Sequence, residues 1–183
     1  MKGLYVRISK FLAYILRHHP SKYNLHLDRK GYTDLDKVLE VLNENFSSHK
    51  ITIDLLKDLI EKSNKNRYEI VEEKKIRALY GHSVDLKIQM PEVKSPPDVL
   101  YHGTTERAWG EIENEGLKKS GRQYVHLSKD IDTARKVGKR RTNDPVILKI
   151  KVMQAKKDGI TFYKSGDMFL ADHIPPEFIT KLQ

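Results

Sequence analysis

Residues 67–80, RYEIVEEKKIRALY, decide how the first half of this chain is read. Two short alternating runs flank the charged turn Glu72–Lys75, and a period of two around a polar turn predicts a β-hairpin. Towards the N-terminus the apolar spacing changes to that of a helix. Leu55, Leu56, Leu59 and Ile60 form one stripe, on a helix that Thr52 caps. Leu35, Val38, Leu39 and Leu42 form a second, capped by Thr33 or Asp34, after a turn that ends the stretch Leu25–Gly31. Ile8, Phe11, Leu12, Ile15 and Leu16 form a third, which Pro20 stops. Three helices followed by a hairpin is the element order of a winged helix. That architecture binds nucleic acid, and it also mediates contacts between proteins.

Beyond the hairpin, the stretch 91–98 reads PEVKSPPD. Three prolines in eight residues neither continue a helix nor sit in a central strand, so a linker is expected there, between lobes at 1–90 and 99–183. The second lobe turns to strands. VLYHGT is a short apolar strand running into a polar turn, and Thr105 caps a helix Glu106–Glu115 that Gly116 terminates. YVHLS is a second strand, with a helix near Asp130–Val137 after it. VILKIKV alternates as a half-buried strand, and ITFY and MFLADHI add two more. The lobe reads as α+β with a mostly antiparallel sheet.

The 183 residues, 32% charged and 38% hydrophobic, suffice for a buried core without cross-links. Zero cysteines exclude a disulfide scaffold, a thiolate metal site and a cysteine nucleophile. The N-terminal stretch lacks a signal peptide's uninterrupted apolar run, and no segment approaches a membrane span. A soluble, cytoplasmic protein is the expectation. The 34 Lys and Arg outweigh 25 Asp and Glu, and the excess of +9 divides as +5 up to Pro97 and +4 after it. A basic surface spread over both lobes suits a polyanionic partner, although it also serves solubility.

Three groups of residues carry chemistry. Arg17-His18-His19-Pro20 ends the first helix, where basic side chains complement the helix dipole but also offer a forked guanidinium and a titratable ring to a phosphate. His102-Gly103-Thr104 follows a strand. Its glycine would let backbone approach a ligand, and its His and Thr side chains could bond ribose or amide groups. In the strand Tyr124-Val125-His126-Leu127-Ser128, alternate residues Tyr124, His126 and Ser128 share a face, preceded by Arg122.

Taken together, LRHHP at 16–20, LDRKGYTDLDKVL at 27–39, NRYEI at 66–70, YHGT at 101–104, RQYVHLS at 122–128 and ADHIPPEFI at 171–179 resemble the NAD-dependent RNA 2′-phosphotransferases of tRNA splicing. Several motifs in the right order are far more specific than any one. The resemblance implies a winged-helix lobe followed by a lobe of ADP-ribosyltransferase fold. It implies a reaction that moves an internal 2′-phosphate from RNA, such as a tRNA splice junction, to NAD+. The route passes through a 2′-phospho-ADP-ribosyl RNA to 2′-hydroxyl RNA, nicotinamide and ADP-ribose 1″,2″-cyclic phosphate. Carried over by motif, the catalytic set falls on Arg17, His18, Arg67 and Arg122. NAD+ as co-substrate falls on His102, Gly103, Thr104, His126 and Ser128, with a further pocket position within 165–172.

No glutamate occurs between Glu115 and Glu177. An ADP-ribosyltransferase acting on a neutral acceptor would miss that acid, whereas a 2′-phosphate is already an anion and needs positioning more than deprotonation. Lys139, Arg140 and Arg141 offer an RNA contact, with a solvated basic loop as the plainer account. Carboxylate and histidine spacing points to no metal, and a monomer is expected. Two alternatives stay open: an ADP-ribosyltransferase that stops after its first step, and a non-catalytic winged-helix regulator with a ligand-sensing second lobe.

Overall fold

A computed structural model describes residues 2–63 and 65–182. They divide into two compact units, Met1–Gln89 and Met90–Gln183. Both are mixed α and β with small, wholly antiparallel sheets, and the described residues hold six α-helices.

In the first unit α1 (Lys2–Arg17) buries Ile8, Leu12, Ile15 and Leu16 completely. Strand β1 (Tyr32–Asp34) leads into α2 (Leu35–Asn45), and α3 (Ile53–Glu61) follows. The two caps are built as the sequence suggests. Asp34 Oδ1 accepts from the Lys37 amide at 3.0 Å and Thr52 Oγ1 from the Leu55 amide at 3.3 Å. Strands β2 (Tyr68–Val71) and β3 (Lys75–Ala78) form the hairpin, turning through Glu72 and Glu73 at positive φ. The hairpin gains a third strand that periodicity did not reveal, because β1 pairs with β3, placing Thr33 opposite Ile76. Three residues are too short to show a period of two. Their side chains explain the pairing: the Tyr32 hydroxyl donates to Glu69 at 2.5 Å, Arg77 bridges Glu69 at 2.7 Å, and the Arg77 guanidinium lies 4.4 Å from the Tyr32 ring centre.

The second unit starts with β4 (Val99–Thr104) and α4 (Glu106–Glu115), whose N-terminus Thr105 caps at 3.2 Å. Then come β5 (Leu117–Lys118), β6 (Val125–Leu127), α5 (Ile131–Gly138), β7 (Val146–Lys151) and α6 (Val152–Lys157). Strands β8 (Phe162–Ser165), β9 (Met168–Ala171), β10 (His173–Ile174) and β11 (Ile179–Lys181) complete it. One sheet has the order β11-β7-β4, a second β6-β9-β8, and β10 pairs with β5. Leu100, Leu127, Leu148, Ile150, Phe162 and Ala171 fill the core.

Three readings change here. MFLADHI is two strands in different sheets, broken at Asp172. VILKIKV stops at Lys151, and its last valine opens α6, a helix of six residues with no side-chain cap. The stretch 91–98 is tied down at its start: the Val93 amide donates to Phe162 at 2.8 Å and the Lys164 amide to Pro91 at 3.0 Å. Proline carbonyls still accept, so a proline-rich segment can lie along an edge strand. Among the described residues no helix is long and apolar enough to cross a membrane.

Candidate active site

In the first unit, the helix end and the hairpin meet. α1 finishes at Arg17, and the amides of His18 and His19 both donate to the Tyr14 carbonyl. Arg67 stands one residue before β2, its carbonyl accepting from the Leu79 amide at 2.8 Å and its guanidinium donating to Ser63 Oγ at 3.4 Å. Tyr68 marks where the two arginines converge. Burial raises the pKa of its phenol, while the positive charges of Arg17 and Arg67 both pull it back. The half-buried Arg17 guanidinium lies 5.0 Å from the Tyr80 ring centre and 5.7 Å from that of Tyr68. Aromatic faces hold a guanidinium without neutralising it. Arg17 and Arg67 thus bring two positive charges to Tyr68, with His18 next to Arg17 in the chain. Arg77 pairs with Glu69.

Sequence reasoning missed the segment behind this group, Tyr80-Gly81-His82-Ser83. His18 Nδ1 lies 2.8 Å from Ser83 Oγ, and the Ser83 amide donates to the Arg17 carbonyl at 2.9 Å. His82 is 2% exposed, and its pKa is pushed down to about 4 by burial first, then by the charges of Arg17, His18 and Arg77. The available signal was a Gly-His-Ser run just past the hairpin, similar in composition to His102-Gly103-Thr104.

In the second unit, β4 and β6 belong to different sheets, and an isolated bridge joins β4 to the end of β6. Tyr101 and Ser128 exchange backbone hydrogen bonds of 2.8 and 2.7 Å, and His102-Gly103-Thr104 continues past that bridge along β7. His102 Nδ1 lies 2.9 Å from the His126 carbonyl, and His126 Nδ1 lies 3.0 Å from the Tyr124 carbonyl. A carbonyl only accepts, so each Nδ1 carries the proton, and in the neutral ring Nε2 holds the lone pair. Burial lowers the pKa of His102 most, and the nearby Arg141 and Arg122 lower it further, against the His126 carbonyl. His102 is therefore a neutral ring in a field of guanidiniums.

Gly103 has a packing role. A Cβ there would stand 2.0 Å from the Ala134 carbonyl oxygen, so its backbone lies close against α5. A Cβ at Gly138 would meet Gly103 at 3.3 Å and the Pro145 Cβ at 2.5 Å. This pair of glycines seats α5 against β4. The seating brings the exposed turn Lys139, Arg140 and Arg141, which continues from α5, close enough for Arg141 to act on His102. Thr104 and Ser128 are 9% and 4% exposed, while Arg122 is exposed.

Comparison with known proteins identifies the family. Residues 4–171 match the family model described as RNA 2'-phosphotransferase, Tpt1 / KptA family. A protein of Acetivibrio thermocellus named "Probable RNA 2'-phosphotransferase" is 48% identical over 176 residues, which cover 96% of both chains. One of the same name from Bacillus thuringiensis subsp. konkukian is 46% identical over 96% of this chain and 94% of its own. An archaeal relative, from Archaeoglobus fulgidus, is 37% identical over 96% of this chain and 80% of its own length. Since the family match spans nearly all of both units and the relatives align from end to end, the chain belongs to the RNA 2'-phosphotransferase, Tpt1 / KptA family.

Proposed function

We propose that this protein removes a 2′-phosphate from RNA by transferring it to NAD+, with the first unit acting as a winged helix and the second as an ADP-ribosyltransferase-like lobe. The observation that carries the proposal is the convergence of Arg17 and Arg67 on Tyr68 beside His18, a cationic group suited to a phosphate dianion. The second unit suits NAD+. The lone pairs at Nε2 of His102 and His126 suit ribose hydroxyls.

NAD+ supplies an electrophilic anomeric carbon: its bond to nicotinamide breaks as a bond to a phosphate oxygen forms. Arg17 and Arg67 hold the phosphate, and Arg122 is assigned to the charge that develops on it. His18 then takes the proton of the ribose 2″-hydroxyl as that oxygen bonds to phosphorus, and returns it to the departing RNA 2′-oxygen as the phosphorus–oxygen bond breaks. Guanidiniums supply the electrostatic stabilisation that a metal would otherwise give, each contributing a few kcal/mol. The RNA is assigned to the ligated splice junction of tRNA, and the active form to a single cytoplasmic chain.

Mass spectrometry of NAD+ incubated with a 2′-phosphorylated oligoribonucleotide tests the proposal. The expected products are 2′-hydroxyl RNA, nicotinamide and ADP-ribose 1″,2″-cyclic phosphate. A permanent ADP-ribosylated adduct would assign only the first step, and unchanged NAD+ would overturn the proposal. Arg67→Ala and Arg122→Ala are expected to lose turnover by at least about 100-fold while keeping the wild-type unfolding midpoint.

A further inference from the structure

Tyr80, Gly81, His82 and Ser83, which follow Leu79 beyond β3, form one device built around the end of α1. Tyr80 lays its ring 5.0 Å from the Arg17 guanidinium carbon. Gly81 adopts φ +89°, and a Cβ there would sit 3.4 Å from Arg17 Nη1, so glycine turns the chain directly beneath the guanidinium. His82 is buried as an anchor, its Nε2 3.4 Å from where a Cβ on Gly31 would stand. Ser83 is then fixed twice to the helix end, through its amide to the Arg17 carbonyl at 2.9 Å and through its hydroxyl to His18 Nδ1 at 2.8 Å. An exposed serine hydroxyl alone would swing between rotamers, but a backbone bond to the residue preceding His18 holds this one in place.

From this geometry we infer that Ser83 is a positioning residue that sets the tautomer of His18: its Oγ accepts from Nδ1–H and leaves the lone pair on Nε2. The contact by itself permits two arrangements. Were Ser83 to donate to Nδ1, Nε2 would carry a hydrogen and could not receive a proton from a substrate hydroxyl. With Ser83 as acceptor, Nε2 becomes the basic atom, while the anchored turn keeps the ring beside Arg17. The arrangement matches the logic in which the hydrogen bond at one ring nitrogen decides what the other can do. The choice between the two arrangements rests on the proposed transfer of phosphate to NAD+, in which His18 takes a proton; the Ser83–His18 contact does not.

The experiment uses the full chain labelled with ¹⁵N, and reads the ring nitrogens of His18 by long-range ¹H–¹⁵N correlation above the histidine pKa range, with His18→Gln identifying the signal. The expected result is the Nδ1–H form in the wild type, with a return in Ser83→Ala towards the Nε2–H form that a free side chain favours. In the same variants, kcat on 2′-phosphorylated RNA is expected to fall about 10- to 100-fold in Ser83→Ala with the KM for NAD+ unchanged, and to recover in Ser83→Thr. An Nε2–H ring in the wild type would overturn the inference, as would a tautomer that ignores Ser83→Ala. A tautomer that switches while kcat stays constant would overturn the positioning role. An Nδ1–H ring in a wild type that leaves NAD+ and RNA unchanged would instead refute the proposed function and keep the Ser83–His18 relation.

Discussion

Acidification tests how His82 anchors the turn behind Arg17. The ring is 2% exposed, and neither nitrogen has a hydrogen-bond partner among the described residues. Its pKa falls from 6.5 to about 4, because burial penalises the charged ring and the positive Arg17, His18 and Arg77 repel it. An unfolded chain protonates this histidine near 6.5, whereas the folded one resists until about 4. Between those values the unfolded state binds more protons, so stability falls as pH falls. The contribution is whole above pH 6.5 and is withdrawn progressively towards pH 4, a span worth about 3 kcal/mol. Against a typical stability of about 5–15 kcal/mol, that is a large share. Urea unfolding of the wild type and of His82→Leu, followed from about pH 7.5 to about pH 4.5, isolates the effect, since leucine has a similar volume and takes no proton. The wild type should lose about 2–3 kcal/mol more than the variant over this range. At neutral pH the variant should be no less stable, having shed two unpartnered buried nitrogens. Parallel losses in both proteins would refute the account and show that His82 is hydrated or partnered in solution.

Gly103→Ala should destabilise the second unit by at least about 3 kcal/mol, because a backbone carbonyl 2.0 Å from the new methyl has no rotamer to escape into; an unfolding midpoint within a degree or two of wild type would show that α5 withdraws freely. Arg17→Ala and His18→Ala should slow the second chemical step more than the first, so that an RNA bearing a 2′-phospho-ADP-ribose adduct appears as a slower gel band and later declines. Loss of all NAD+ consumption in these variants, without any adduct, would refute that division of labour. Replacing Lys139, Arg140 and Arg141 together by Gln should flatten the dependence of log affinity for single-stranded RNA on log salt by about 2, at about 0.7 per phosphate contact. An unchanged slope would return that turn to the solvated surface.

Periodicity served well where an element was long enough to repeat. The stripe Ile8, Leu12, Ile15 and Leu16 fixes the buried face of α1, and the alternation across 67–80 finds the β2–β3 hairpin. It failed at β1, β5, β10 and α6, whose two to six residues are decided by partners distant in sequence. The candidate site divides in the same way. Arg17, His18 and Arg67 stand in motifs, yet their convergence on Tyr68 depends on how the end of α1 meets the hairpin, which no local pattern encodes. Ser83 was invisible for a related reason. Its meaning lies in a bond to a residue 65 positions away. At Gly103 the sequence did not reveal the packing against α5, because a glycine signals close approach without saying to what.

The distribution of carboxylates adds an argument about the acceptor. Glu69 is held by Arg77, Asp58 by Lys62, Glu115 by Lys118 and Glu106 by Lys181. These acids are spent on ion pairs, and no glutamate occurs between Glu115 and Glu177. The charges that act on His102 come from arginines, and those on Tyr68 from Arg17 and Arg67. A site that had to deprotonate a neutral hydroxyl or amide acceptor would benefit from a nearby carboxylate base. A site that receives a phosphate is hindered by one, since two anions a few ångströms apart repel in a partly desolvated setting. A positive field around a neutral His102 therefore favours an acceptor that brings its own negative charge. It follows that changing His126 or Ser128 to glutamate would not improve transfer from RNA; the added anion would weaken phosphate transfer even with the fold preserved.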